Sequence, residues 1–257
     1  MFDTLIRPFA VVFADTGFWL PALVTLVAGL MRGFAGFGSA MLMAPIFALL
    51  FGSLEMVATV MLIEFAVGVQ LFPAGRRDAD WSLIGPMSVA ACLAMPVGVW
   101  LLASVDKGLI VKTVSGIIVL FVVVTASGWS YAGPRSRAVG CGVAAISGMM
   151  MATTSVGGPP VLMYLLSGKD PPARHRGNII AYYMATQVPL LAIMYWTGIA
   201  GMGAVWRALA LLPFMILGAW IGRLLFDPAR ERLYRNVALA VLFCAGAGGL
   251  LRDALIR

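Results

Sequence analysis

Arg32, Ser39 and Glu64 stand inside apolar runs of a chain that is 61% hydrophobic and only 11% charged. A charge at membrane depth is costly, so it is kept for a function or held by a partner. Glu64 could carry a coupling proton, because burial raises a carboxyl's affinity for one. It could equally pair with Arg32. Arg32 could answer an anion, or snorkel from a short helix end. The run RGFAGFGSAMLMAPIFALLFG (32–52) carries glycines at 33, 36 and 38 close to that arginine. A second interruption, ATTSVGGPP (152–160), breaks another apolar stretch. Half-helices that end at mid-depth leave N–H groups free, and helix N-termini attract anions. Glycine lets a ligand approach the backbone. The candidate substrate-binding residues are therefore Gly36, Phe37, Gly38 and Ser39 in the first break and Thr154, Ser155, Val156, Gly157 and Gly158 in the second. The competing use of the same small residues is close helix packing.

Asn178, Tyr182 and Thr186 recur at helical spacing, with Gln187 beside them. A polar face on a membrane helix points into the bundle, as pore lining or as glue between helices. Tyr182 and Gln187 join the binding candidates. Asn178 and His175 join Arg32 and Glu64 as candidates for coupling or gating. His175, the one histidine, sits among basic neighbours in ARHRGN. An intramembrane hydrolase would need it as the base for Ser39 or Ser155; a cation transporter would need more buried acids than Glu64. Both stand as alternatives, and the single histidine and scarce buried acids count against them. One histidine and scattered acids also exclude a metal cluster, and no cofactor is expected. Cys92, Cys141 and Cys244 are isolated, without a CxxC motif.

The elements that must position these residues are transmembrane helices. A span needs about 20 apolar residues. Spans are expected at 54–73, 82–104, 109–130, 178–197, 206–225 and 233–251, with broken regions at 18–51 and 138–167. Backbone leaves helical geometry at membrane depth only where protein buries it or a cavity meets it. The start of the chain lacks a basic n-region and a small-residue cleavage site, so no cleaved leader is expected. The net charge of +7 belongs to loops that set orientation, not to nucleic-acid binding. Trp81, Trp129, Trp196 and Trp206 fall at span ends as an aromatic belt.

The chain also repeats itself. GSAMLMAPIFALLFG (38–52) resembles GGPPVLMYLLSG (157–168), Trp81 matches Trp206, Gly98 falls near Gly222, and Lys112-Thr113-Val114 beside Arg235-Asn236-Val237. Loop charge swaps between matched loops. Arg76 and Arg77 have an uncharged counterpart at 198–205, and Glu55 answers Lys169, Arg174 and Arg176. Inversion of the second half explains this, because matched loops then face opposite sides. The expected fold is all-α and polytopic: a first repeat over 1–131, a basic linker over 132–137 and an inverted second repeat over 138–257. Each repeat is a broken hairpin plus three spans. The basic loops should face the cytoplasm, both termini should face outward, and a homodimer is possible.

GFAGFGSAMLMAP (33–45), SVGGPPVLMYLLSG (155–168) and GRLLFDPARERLYRNVALAVLF (222–243) resemble the TauE/SafE transporters, also called the 4-toluene sulfonate uptake permease family. The resemblance covers nearly the whole chain as two repeats. It implies a secondary transporter of the cytoplasmic membrane, moving a small sulfur-containing anion such as sulfite or an organosulfonate, coupled to an ion or a proton.

Overall fold

The computed structural model describes residues 16–255 except 36–37, 130, 134–135, 169 and 226–230. Gly36, Phe37, the start of the chain on which the leader expectation falls and parts of three basic loops therefore lie outside the described residues. Among the described residues the chain forms ten α-helices and no strand. The first half holds α1 (Trp19–Ala35), α2 (Ser39–Phe51), α3 (Ser53–Asp78), α4 (Trp81–Ser104) and α5 (Lys107–Ala126). The second half holds α6 (Arg137–Thr154), α7 (Gly158–Leu166), α8 (Pro172–Trp196), α9 (Met202–Leu225) and α10 (Glu231–Leu255). Each half thus runs through a helix, a short helix and three long ones.

Length and composition make α3, α4, α5, α8 and α9 long and apolar enough to cross a bilayer. The sixth expected span, 233–251, is apolar over Asn236–Leu251 within a longer helix. Its first turns are charged, so the apolar stretch is shorter than expected. Span 109–130 also ends early: α5 stops at Ala126, leaving Trp129 beyond it. Leu93, Trp100, Leu120 and Trp220 are exposed on the outer faces of these helices. Apolar side chains facing out along whole helices suit lipid. The chain is a polytopic helical membrane protein.

Side chains set the helix starts. Asp80 accepts from the N–H of Ser82, Asp106 from Gly108 and Leu109, and Ser136 from Val139, each capping a helix. Gly52, at φ 82°, turns the chain from α2 into α3 within one residue.

Both broken regions are hairpins that return to the end where they began. Near the end of α7 the Tyr164 hydroxyl donates to the carbonyl of Ser136, the residue before α6, at 3.1 Å. In the first half α1 runs parallel to α9, Gly29 lying against Met215 and Gly33 against Ala219 and Gly222. Phe51, the last residue of α2, lies under Arg207 near the start of that same α9, 4.2 Å from guanidinium to ring centre. The break in the first region is narrower than the glycine run suggests. Arg32 and Gly33 are inside α1, and the helix resumes at Ser39.

Partners are exchanged between the halves. The first helix of each half packs on the fourth of the other: α1 on α9 and α6 on α4. The pairs α3–α8 and α5–α10 pack directly on one another. Both run antiparallel. Gly75 faces Ile180 while Gly68 faces Gln187; Gly249 faces Ser115 while Gly246 faces Val119. Backbones touch at the crossed pairs. A Cβ on Gly218 would lie 2.2 Å from the carbonyl of Leu26, and one on Gly148 would lie 2.3 Å from that of Ala91. Small residues permit this approach.

Candidate functional site

Arg32, three residues before the end of α1, points its guanidinium at α3. Its Nη1 donates to Glu64 Oε2 and, at 3.1 Å, to Ser39 Oγ. The Ser39 hydroxyl in turn donates to Glu64 Oε1 at 2.5 Å. The three groups close a ring. Ser39 and Glu64 are buried, and the Arg32 side chain is mostly so. Three elements supply it: α1 the cation, the first residue of α2 the hydroxyl, and the middle of α3 the carboxylate. A buried ion pair persists only when hydrogen bonds satisfy it, and the serine does part of that here.

Gly38 makes the junction possible. Its φ of 95° lies in the left-handed region, and its carbonyl accepts from Leu42 N at 3.0 Å. No side chain caps α2. The N–H groups of Ser39, Ala40 and Met41 therefore have no partner within the helix.

The second break is built differently. Ser155 closes α6 at φ 63°, a strained position for a residue with a side chain. Its N–H donates to Met151 O at 2.9 Å, and its hydroxyl faces Met56 Sδ at 3.5 Å. Thr154 Oγ1 donates to Met150 O and accepts from Val156 N. Ser147 donates to Gly157 O at 2.5 Å, and Tyr182 donates to Ser147 Oγ at 3.1 Å. Residues 155 to 158 are all buried. A Cβ on Gly157 would stand 2.6 Å from Ser147 O and from Met151 Cβ, so this glycine serves packing. Pro159 and Pro160 remove two of the first N–H groups of α7. The start of α7 thus offers fewer donors than the start of α2.

The two breaks meet. A Cβ on Gly158 would come 2.5 Å from the Tyr183 hydroxyl and 3.5 Å from Met41 Cε, on the first turn of α2. Tyr183 is near enough to feel the charges of Glu64 and Arg32. Its ring packs edge-on against Tyr182, 5.9 Å between centres. Arg32, Ser39 and the first turn of α2 stand together, with Tyr183 within electrostatic range of Arg32 and Glu64.

The family description "Sulfite exporter TauE/SafE" matches residues 21–248. The chain belongs to this family. Neither the curated proteins nor the solved structures gave a match. TauE/SafE is a family of sulfite and sulfonate exporter-type membrane transporters, and its match spans both hairpins and all the long helices described above. This TauE/SafE chain is therefore a multi-pass membrane protein of a transporter family.

The remaining candidates fall elsewhere in the TauE/SafE fold. Tyr182 faces α6 and lies in a small core with Ile84, Met87 and Tyr164. Asn178 accepts from the N–H of Asp80 at 2.7 Å, tying the start of α8 to the α3–α4 loop, and its Nδ2 has no partner among the described residues. His175 sits on the first turn of α8 with Nδ1 buried and, among the described residues, unpartnered. Among the described residues neither Ser39 nor Ser155 bonds to it. Gln187 is buried against Gly68, and its Oε1 lacks a partner among the described residues.

Sequence reasoning passed over Ser147 and Tyr183. Ser147 reads as one small residue among many in ISGMM. Tyr183 is next to a tyrosine that fits the i, i+4 spacing better. Only the rotation of α8 shows that Tyr183 faces Gly158 while Tyr182 faces Ser147 on α6.

At the basic end, a cleft of about 500 Å³ is lined by Arg77, Asp78, Asp80, Trp81 and Arg174 among others. The Ser82 hydroxyl, above all, holds the Asp80 carboxyl below the ordinary carboxylate range. Burial opposes this. The N–H groups of Ser82 and Leu83 and the charge of Arg174 add to it. At the other end Arg207 Nη1 donates to Glu55 Oε2 at 2.9 Å.

Proposed function

We propose that this chain moves a small sulfur oxyanion, sulfite or an organosulfonate, across the cytoplasmic membrane by alternating access between two inverted repeats. The observation that carries the proposal is the group of donors where the hairpins meet: Arg32, Ser39, Tyr183 and the N–H groups opening α2, which no side chain caps. A sulfonate spreads its charge over three oxygens, so several donors can share it. Charge-assisted hydrogen bonds are about twice as strong as neutral ones, which offsets part of the anion's dehydration.

The exchange of partners between halves supports inversion, as do the antiparallel registers of α3–α8 and α5–α10. Paired broken helices near the midplane are a recurrent pointer to transporter sites. The cluster is buried, so an ion reaches it only if one repeat rocks against the other. The basic loops face the cytoplasm in this reading. Cysteines placed at Arg135 and at Gly201 should then react from opposite sides of the membrane; equal reactivity from one side rejects the orientation.

Counterflow of labelled sulfite and methanesulfonate in liposomes tests the substrate class. Wild-type protein should exchange at least one of them, and Arg32→Gln should exchange neither. Unchanged exchange in Arg32→Gln places the anion elsewhere.

A further inference from the structure

The strongest donors of the proposed anion site are already engaged. Arg32 and Ser39 both give their hydrogen bonds to Glu64, one on each carboxylate oxygen. A carboxylate and a sulfonate present the same chemistry: a planar or pyramidal set of oxygens sharing one negative charge. We propose that the Glu64 carboxylate is a tethered stand-in for the transported anion, and that each anion displaces it from Arg32 and Ser39 while Glu64 takes up one proton. The inference rests on the reading of the two breaks as the anion site.

Charge balance gives the direction. Arg32 and Glu64 together are neutral. Adding an anion leaves two negative groups around one guanidinium in a site closed to water. Two like charges that close cannot both stay ionised at little cost, so one takes a proton. The anion then enters as a neutral unit with its proton, and the buried site never carries net charge. The titratable groups facing Glu64 are Arg32 from α1 and Tyr183 from α8. Arg207 of α9 meets the same helix nearer its start, at Glu55 and Thr59. Ser39 is the facing group on α2.

A second polar group stands near the displaced carboxyl. No hydrogen bond of the Tyr183 hydroxyl is present among the described residues, and the group lies beside Gly158 in electrostatic range of Glu64. A phenol both donates and accepts. It can accept from the protonated Glu64, or donate to the incoming anion. Gly158 keeps that space open, because a Cβ there would stand 2.5 Å from the hydroxyl.

The test counts protons. Methanesulfonate, which carries no titrating proton near neutrality, is bound to the purified protein by calorimetry in two buffers of different ionisation enthalpy. Sulfite is run beside it with its own protonation subtracted. Wild-type protein should take up about one proton per anion, and affinity should rise about tenfold for each unit the pH falls. Glu64→Gln keeps the shape but not the charge. It should bind without proton uptake and without pH dependence, about tenfold or more tighter near neutral pH. Binding by wild type with no proton uptake makes Glu64 a permanent ion pair and overturns the inference, leaving the anion site itself intact. Equal uptake in wild type and Glu64→Gln overturns it as well. Binding of neither anion to wild type rejects the site and the inference together. Should Glu64→Gln not fold, the wild-type proton count still decides.

Discussion

The two broken hairpins share a position in the fold and differ in chemistry. Between α1 and α2 the break is polar and charged: Arg32, Ser39 and Glu64 close a ring, and the first N–H groups of α2 have no partner within the helix and no side-chain cap. Between α6 and α7 it is neutral and tied down: Ser147, Tyr182 and Thr154 hold the loop, and prolines take the place of N–H donors. One hairpin carries buried charge; the other is neutral and held by hydroxyls. Hairpins with the same course through the fold can therefore differ in chemistry. In the proposed site the first hairpin supplies the charges, α7 mainly the space at Gly158 and α8 the hydroxyl of Tyr183.

Substitutions can break that contrast, and the charged hairpin should give the largest effect. Arg32→Ala leaves Glu64 buried without its cation. A loss of about 3–5 kcal/mol is expected, read as a fall in thermal midpoint of the purified protein, together with complete loss of counterflow. The double variant Arg32→Ala/Glu64→Ala should recover much of the stability and none of the transport. A midpoint near wild type in Arg32→Ala would show that the ring does not hold the hairpin.

The neutral hairpin should respond to bulk instead. Gly157→Val drives a side chain into Ser147 O and Met151 Cβ, and should destabilise by about 1–3 kcal/mol. Gly38→Ala meets only the flexible ends of Met31, at 3.3 Å, and Leu242, at 3.6 Å, but pays for its left-handed backbone with about 1–2 kcal/mol. If Gly157→Val unfolds no more easily than wild type, the second break is looser than described.

The tyrosines sharpen the comparison. Tyr183→Phe should weaken sulfonate binding by about 1 kcal/mol and leave the thermal midpoint alone. Tyr182→Phe should do the reverse, because its hydroxyl holds Ser147. Titration calorimetry beside thermal unfolding separates the two; identical profiles would erase the distinction between the faces of α8.

The smallest effect lies at the basic end. The folded Asp80 carboxyl is held below its unfolded value, so its stabilising contribution is present above the ordinary carboxylate range. It is lost as the pH falls through the folded value. Asp80→Asn should flatten the acid side of the stability profile slightly and leave transport near neutrality unchanged. An acid limb identical to wild type would remove Asp80 from that balance.

Much of this was legible in the residues. The apolar runs announce the long helices, because bilayer thickness dictates span length. The interruptions announce the two hairpins, because glycine, proline and clustered hydroxyls spoil a helix in ways a membrane tolerates only inside protein. Arg32 and Glu64 stood out as charges in apolar runs, and pairing was one of their two readings. Contacts between distant segments were not legible. Ser147 and Tyr183 carry no local signal, since a serine among small residues and the second of two tyrosines look ordinary at any helical position.

Sequence by itself determined the class, the helices and the places where they break, because those follow from local propensity and from transfer of side chains into lipid. Tertiary structure alone decided that α1 docks on α9 and α6 on α4, through glycines whose partners lie in the other half. It also decided that Glu64 reaches back to Arg32 and Ser39. Such pairings depend on crossing angle and rotation between helices far apart in the chain, which the packing of the whole bundle sets.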